Sequence, residues 1–320
     1  MTDKGKREGN MDKKKGIFYT VVSASAFGLT PLLCVYAYTA GANPETLVFL
    51  RNLFVIPVLF IILKIQKIDL RMDVKTMFKA FLVGVFGMTA TALLLYNAYN
   101  YLPVGTVTTI HFLYPVFVAL AGLIFFKERV SMMKGILLTV ATAGVFFFLE
   151  TGGNISTSNL VIGIILSVVS GATYAFYMVG VERFGLNKIN SYKLTFYLSI
   201  FSSIAVLIYA LATNKFVMFD MQPIGFLYAF IIAMGTSFLA VYTLQLGIKY
   251  LGAGDAAIFC MFEPVTAVLG EWLILGVGLT LMKVIGCVVI LGSVTLMTIL
   301  DKKAETSKEA ALEAQPEPAK

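Results

Sequence analysis

Charge is scarce in this sequence: Asp, Glu, Lys and Arg make up 13% of its 320 residues, about half the share usual in soluble domains. Apolar residues reach 58%, and the mean hydropathy is +0.86. A soluble fold cannot hide that much apolar surface, whereas a membrane bundle can be as apolar outside as inside. Histidine is nearly missing, and His111 alone rules out a histidine-rich metal site. The three cysteines, Cys34, Cys260 and Cys287, each lie inside an apolar run with no CxxC or His-linked spacing. They read as small packing residues, not as a disulfide framework or zinc site. No Walker loop, GxSxG or HExxH motif occurs, so an ATP-driven pump and a zincin find no support, and no cofactor or metal is expected. Nor does the net charge of +7 point to nucleic acid, because the basic residues sit at helix ends and not in a stripe interleaved with aromatics.

What the chain does have is long apolar runs. About 20 apolar residues cross the hydrocarbon of a bilayer. By that rule the sequence predicts ten transmembrane helices, near 17–40, 46–63, 76–96, 104–126, 133–149, 160–179, 194–212, 224–246, 255–275 and 281–300. Short breaks with turn chemistry separate them, such as Gly41-Ala42-Asn43-Pro44, Thr151-Gly152-Gly153-Asn154 and Gly252-Ala253-Gly254-Asp255. Short loops make neighbouring helices antiparallel, so the loops alternate sides. With a cytoplasmic N-terminus, 22 of the 25 lysines and arginines fall on the inner side, Lys215 and Lys283 on the outer side, and Arg51 within a helix. That bias predicts a multi-pass protein of the cell (inner or plasma) membrane with both termini in the cytoplasm. The first run is too long for a secretory signal and reads as a retained span.

The two halves resemble each other. Tyr101-Leu102, Gly105, Pro115-Val116, Leu120, Met133 and Lys134 align at a constant step with Tyr250-Leu251, Gly254, Pro264-Val265, Leu269, Met282 and Lys283. Gly16-Ile17 and Val21-Val22-Ser23 likewise meet Gly163-Ile164 and Val168-Val169-Ser170. The expected organisation is a basic cytoplasmic N-terminus (1–16), a first five-helix repeat (17–150), a second (151–300) and a disordered cytoplasmic tail (301–320). Five is odd, so the second copy enters the membrane from the opposite face. Such inverted repeats suit alternating access, with substrate held between the halves near the midplane.

From 16 to 300 the chain resembles the EamA family of the drug/metabolite transporter superfamily. The residues that carry the resemblance are Leu50-Arg51-Asn52-Leu53, Lys127-Glu128-Arg129-Val130-Ser131 with Gly135, Glu263-Pro264-Val265, Gly276, Leu279-Thr280 and Gly286. Where the family shows a Gly-Glu pair at the end of each copy's fourth helix, this chain has Lys127-Glu128 and then Gly276-Val277, so the second acidic position is missing. The resemblance implies an all-α secondary transporter, usually an exporter of amino acids or related metabolites.

Charges inside a membrane cost about 2.5–3.5 kcal/mol even on the gentler insertion scale, so they are expected to face the bundle interior or a wet cavity. Glu263, about 12 Å into its span, leads the candidates, as a proton-carrying or amine-binding carboxylate or as a structural hydrogen-bond partner. Pro264 beside it, with Pro115 and Pro31, marks a candidate helix break that frees carbonyls. Glu271, two turns on, reads as a substrate or gating group or as a rim ion pair. Arg51 is near enough to the outer end to snorkel; its fork also suits a substrate carboxylate. His111 and Tyr114 share one face, and His111 is either a proton relay or a packing residue. Tyr96 and Asn97, Tyr174 and Tyr177, and Tyr242 and Gln245 are candidates for the cavity wall, with core packing as the alternative.

The reading that unites these features is a non-enzymatic secondary transporter. It exports a small metabolite such as an amino acid through a central cavity, with the lipid bilayer as its environment and protons as the candidate coupling ion. A membrane-embedded transferase would need a cluster of acidic or histidine residues at one surface, which the short loops lack, and a passive channel would favour a continuous polar stripe. The sequence leaves the substrate, the direction of transport and the choice between monomer and dimer open.

Overall fold

The computed structural model describes residues 3–127, 131–148, 156–276 and 278–313. Glu128-Arg129-Val130, the turn at Thr151-Gly152-Gly153-Asn154 and Val277 lie outside the described residues. Among those described, the chain is helical throughout, with no strand. Eight segments are long and apolar enough to cross a membrane: Met11–Thr39, Pro44–Ile65, Val74–Ala98, Val104–Phe126, Thr157–Arg183, Ser191–Ala212, Pro223–Leu251 and Ala253–Ile274. Two shorter apolar helices, Met132–Val145 and Leu281–Met297, accompany them. Large apolar side chains such as Ile61, Phe125, Ile208 and Leu273 stay exposed on the outer faces, as a bundle solvated by lipid requires.

Helix starts follow local chemistry. The side chains of Asn43, Asp73, Ser156 and Asn190 each accept a hydrogen bond from a first-turn backbone N–H, which satisfies donors that the helix leaves open. Gly41 at φ +90 and Gly252 at φ +82 supply turns that other residues resist.

Several segments are built from two half-helices. The first is α1 (Asp3–Gly28) followed by α2 (Thr30–Thr39), and the second α3 (Pro44–Leu53) followed by α4 (Val55–Ile65). The third runs from α5 (Val74–Leu82) through a π-helical stretch, Val83–Thr89, into α6 (Ala90–Ala98). The fourth breaks between α7 (Val104–His111) and α8 (Tyr114–Phe126), and α9 (Met132–Val145) follows. In the second half α10 (Thr157–Arg183) and α11 (Ser191–Ala212) are continuous. Then α12 (Pro223–Ile232) passes through the π-helical stretch Ala233–Ala240 into α13 (Val241–Leu251), and α14 (Ala253–Cys260) breaks before α15 (Glu263–Leu275). The last helix, α16 (Leu281–Glu313), runs past residue 301, where a disordered tail was expected. Its sequence there, rich in Ala, Glu and Lys, is made of strong helix formers. Residues 314–320 lie outside the described residues.

Packing joins the two halves of the sequence. Helix α1 lies on α13, with Gly16 against Tyr250 and Leu251, Gly247 against Thr20, and the Ser23 hydroxyl donating to the Ala240 carbonyl at 2.8 Å. Helices α3 and α6 pack on α11 and α10, while α9 and α16 pair with each other beside the main bundle, Gly144 seated on Val289 and Ile290.

Candidate functional site

Three of the helix breaks share one construction. Pro31, Pro115 and Pro264 each stand second in the outgoing half-helix, after Thr30, Tyr114 and Glu263. At that position a missing N–H costs little, but the carbonyl four residues earlier loses its usual helical donor.

Beside these breaks lies a chamber. Its wall includes Phe27 and Pro31 from the first segment, Arg51 from α3, Tyr96 and Tyr99 from α6, and Thr108, His111 and Phe112 at the end of α7. Tyr174 and Tyr177 from α10, Thr236 from the second π-helical stretch, and Glu263 and Ala267 from α15 complete it. Most of this surface is apolar or aromatic, with a few convergent polar groups, which is the usual make-up of a small-molecule site.

Glu263 is 5% exposed and has no lysine or arginine paired with it among the described residues. Arg51 is buried to the same extent. Its guanidinium points into the bundle, Nε donating to Ser237 Oγ at 2.9 Å and Nη1 to Tyr96 Oη at 2.6 Å. One cation and one carboxylate therefore share a chamber without touching, an arrangement that a ligand carrying both opposite charges would complete.

His111 Nδ1 lies 2.9 Å from Ser170 Oγ, which also lies 2.7 Å from the Ser167 carbonyl. With the Ser170 proton on that carbonyl, Ser170 accepts from a neutral His111 protonated on Nδ1; with the other tautomer, Ser170 donates to Nδ1. Tyr174 is the hub of an aromatic cluster: edge-on to Tyr114 at 4.7 Å, stacked on Tyr177 at 6.0 Å and 5.5 Å from the His111 ring. The hydroxyls of Tyr99 and Tyr174 are buried without a hydrogen-bond partner.

A smaller pocket, with room for about one water molecule as it stands, adjoins the chamber. Gly105, Thr108, Thr109, Phe112, Pro264, Ala267, Val268, Glu271 and Lys283 line it, and Glu271 Oε2 pairs with Lys283 Nζ at 2.8 Å.

Of the side chains singled out from the sequence, the chamber gathers Glu263, Arg51, His111, Tyr96, Tyr174 and Tyr177, and Pro31 of the helix-break positions. Tyr114 lies behind the wall, fully buried, and Glu271 belongs to the smaller pocket with Pro264. Asn97 points elsewhere, donating to the Leu93 carbonyl at 2.8 Å and to Glu45 at 3.4 Å. Tyr242 stacks on Tyr192 at 4.2 Å, and Gln245 reaches only the back of Tyr177, at 3.5 Å. Sequence reasoning missed Phe27, Thr91, Tyr99, Thr108, Phe112 and Thr236. Only Tyr99 had a legible signal, its step of three from Tyr96, on which it stacks at 6.0 Å. Small threonines and single phenylalanines in apolar helices carry none.

Comparison with known proteins bears on the chain as a whole. The model of the EamA-like transporter family matches residues 14–149 and again residues 161–299. The uncharacterized transporter YcbK of Bacillus subtilis (strain 168) is 27% identical over 289 residues, covering 85% of this chain and 89% of its own length. The uncharacterized transporter sll1319 of Synechocystis sp. is 25% identical over 232 residues, covering 70% and 68%. A solved crystal structure superposes on 90% of this chain and 98% of its own with a TM-score of 0.68; at 18% identity this likeness concerns the fold alone. With both halves matched and its apolar segments in place, the chain is a multi-pass integral membrane protein that belongs to the EamA-like transporter family.

Proposed function

We propose that the protein is a secondary active transporter that exports a small zwitterionic metabolite, an amino acid being the simplest, by alternating access through the chamber. The observation that carries this reading is the presence of Glu263 and Arg51 in one mostly apolar cavity, each buried and neither paired with the other. A planar guanidinium suits a carboxylate, and Glu263 suits an ammonium. Hydrogen bonds to charged groups contribute about 1.5–3 kcal/mol each, enough for selective binding without irreversible capture. An unpaired carboxylate in a dry chamber is costly, so either a proton or the substrate ammonium neutralises Glu263; that competition couples proton entry to substrate exit.

In this reading the two family-model matches are inverted five-helix repeats, Met132–Val145 and Leu281–Met297 complete ten spans, and both termini lie in the cytoplasm. The element boundaries support it: α7 and α8 recur as α14 and α15 at a constant step, with Val104 against Ala253, His111 against Cys260, Tyr114 against Glu263 and Phe126 against Leu275. Alternating access then exchanges the conformations of the two halves around a fixed site.

Counterflow in proteoliposomes tests the proposal. Liposomes holding the purified protein and loaded in turn with each of a panel of amino acids are expected to exchange at least one labelled amino acid saturably, with a rate that follows the proton gradient. Glu263→Gln is expected to remove the gradient dependence while the protein still elutes as a single folded species. Wild-type flux with unchanged pH dependence in that variant refutes the coupling role.

A further inference from the structure

The smaller pocket is continuous with the chamber in its lining. Thr108, Phe112 and Ala267 border both cavities, and Phe112, 7% exposed, stands where the helical hydrogen bonding of α7 ends. On α15, Glu263, Ala267 and Glu271 follow one another at steps of four along one side of the helix: the first lines the chamber, the second both cavities, the third the smaller pocket. Along that line the path climbs away from Ala253, where the segment enters, toward the ends of α15 and the start of α16. There the Glu271–Lys283 pair closes the pocket, with Lys283 12% and Glu271 26% exposed. Met261, the repeat position matching Phe112, borders neither of these two cavities.

We propose that the smaller pocket is a second, outer station on the permeation path, partitioned from the chamber by the Phe112 ring and latched at its rim by the Glu271–Lys283 pair. Once the rim pair parts and the pocket widens, the station takes the same zwitterionic class of solute, because the ion pair offers both charges and an entering ammonium and carboxylate can exchange partners with it without leaving any charge unpaired. Removing the Phe112 ring joins the two compartments, and removing the Glu271 charge unlatches the outer one. The inference rests on the transport reading above, but its central test needs no substrate.

That test measures reaction of a membrane-impermeant methanethiosulfonate with a single cysteine, Thr91→Cys in the chamber wall, after Cys34, Cys260 and Cys287 have been replaced by serine in the full chain in intact cells. Phe112→Ala and Glu271→Gln are each expected to raise the outer-side modification rate about tenfold or more. The charge swap Glu271→Lys with Lys283→Glu is expected to return it to the starting level. Unchanged rates in both single variants, or a swap as reactive as Glu271→Gln, overturn the proposal. Should the cysteine-free chain not fold, hydroxyl-radical footprinting of Met88, another chamber residue, makes the same comparison in the native-cysteine protein. Occupancy is read at Thr109→Cys in the smaller pocket, whose modification a saturating transported amino acid is expected to slow; no protection by any transported amino acid removes the second station. If no amino acid is transported while the accessibility results hold, the partition stands and the substrate class falls.

Discussion

A buried hydroxyl without a partner costs about 1–3 kcal/mol, so Tyr174, central to the aromatic cluster yet donating to nothing in the protein, is poorly explained by stability. Tyr174→Phe is expected to leave the melting temperature unchanged or slightly raised. It should also diminish the thermal stabilisation produced by a bound amino acid, both read by melting the purified protein with and without ligand. A fall of several degrees without ligand would mean that the hydroxyl does serve the fold. Asp73 shows the opposite balance. It caps α5 at the membrane edge, and hydrogen bonds from Thr76 hold its carboxyl below the usual aspartate range. The ionised form is the bonded one, so its contribution is complete above the unfolded value, near pH 3.9, and is lost as pH falls through the lower folded value. Asp73→Ala is therefore expected to melt earlier than wild type at neutral pH and to converge with it in acid.

Helical elements in this protein owe their breaks to two different causes. Pro31, Pro115 and Pro264 were legible as interruptions because the missing N–H is a property of the residue. The π-helical stretches Val83–Thr89 and Ala233–Ala240 contain no proline and were not legible. The first is held by Thr89, which donates to the Gly84 carbonyl five residues back, and by Gly87, where an added Cβ would come within 2.9 Å of Tyr177. That close approach of α10 is a tertiary condition. Close approach also governs Gly28 at the first break, where a Cβ would lie 2.5 Å from the Glu263 carbonyl and 2.1 Å from Thr266 Oγ1. Gly28→Ala is expected to destabilise by about 1–3 kcal/mol through forced displacement of α15. Gly135→Ala, in open space on α9, is expected to be neutral or to stabilise by up to about 1 kcal/mol, both measured as shifts in thermal unfolding.

Across the whole molecule, the placement of basic residues predicts that reporter tags at both ends are digested by protease in inside-out vesicles and protected in intact cells. Opposite behaviour of the two ends would remove the odd-numbered repeat on which alternating access rests.

Composition and run length by themselves settled that the chain is a helical membrane protein, because apolar surface on this scale has no other solvent and a backbone in lipid satisfies its own hydrogen bonds most simply as helix. Proline and glycine positions added three breaks and the turns. Which polar side chains meet was decided only by tertiary structure. Arg51 is held by Ser237, 186 residues away, and Thr30 meets Thr236 across 206. Asn97, next to Tyr96 in sequence, leaves the chamber because one residue is a turn of about 100° around the helix. In a sequence apolar on nearly every face, no amphipathic stripe marks the side that looks inward; the neighbouring helices choose it.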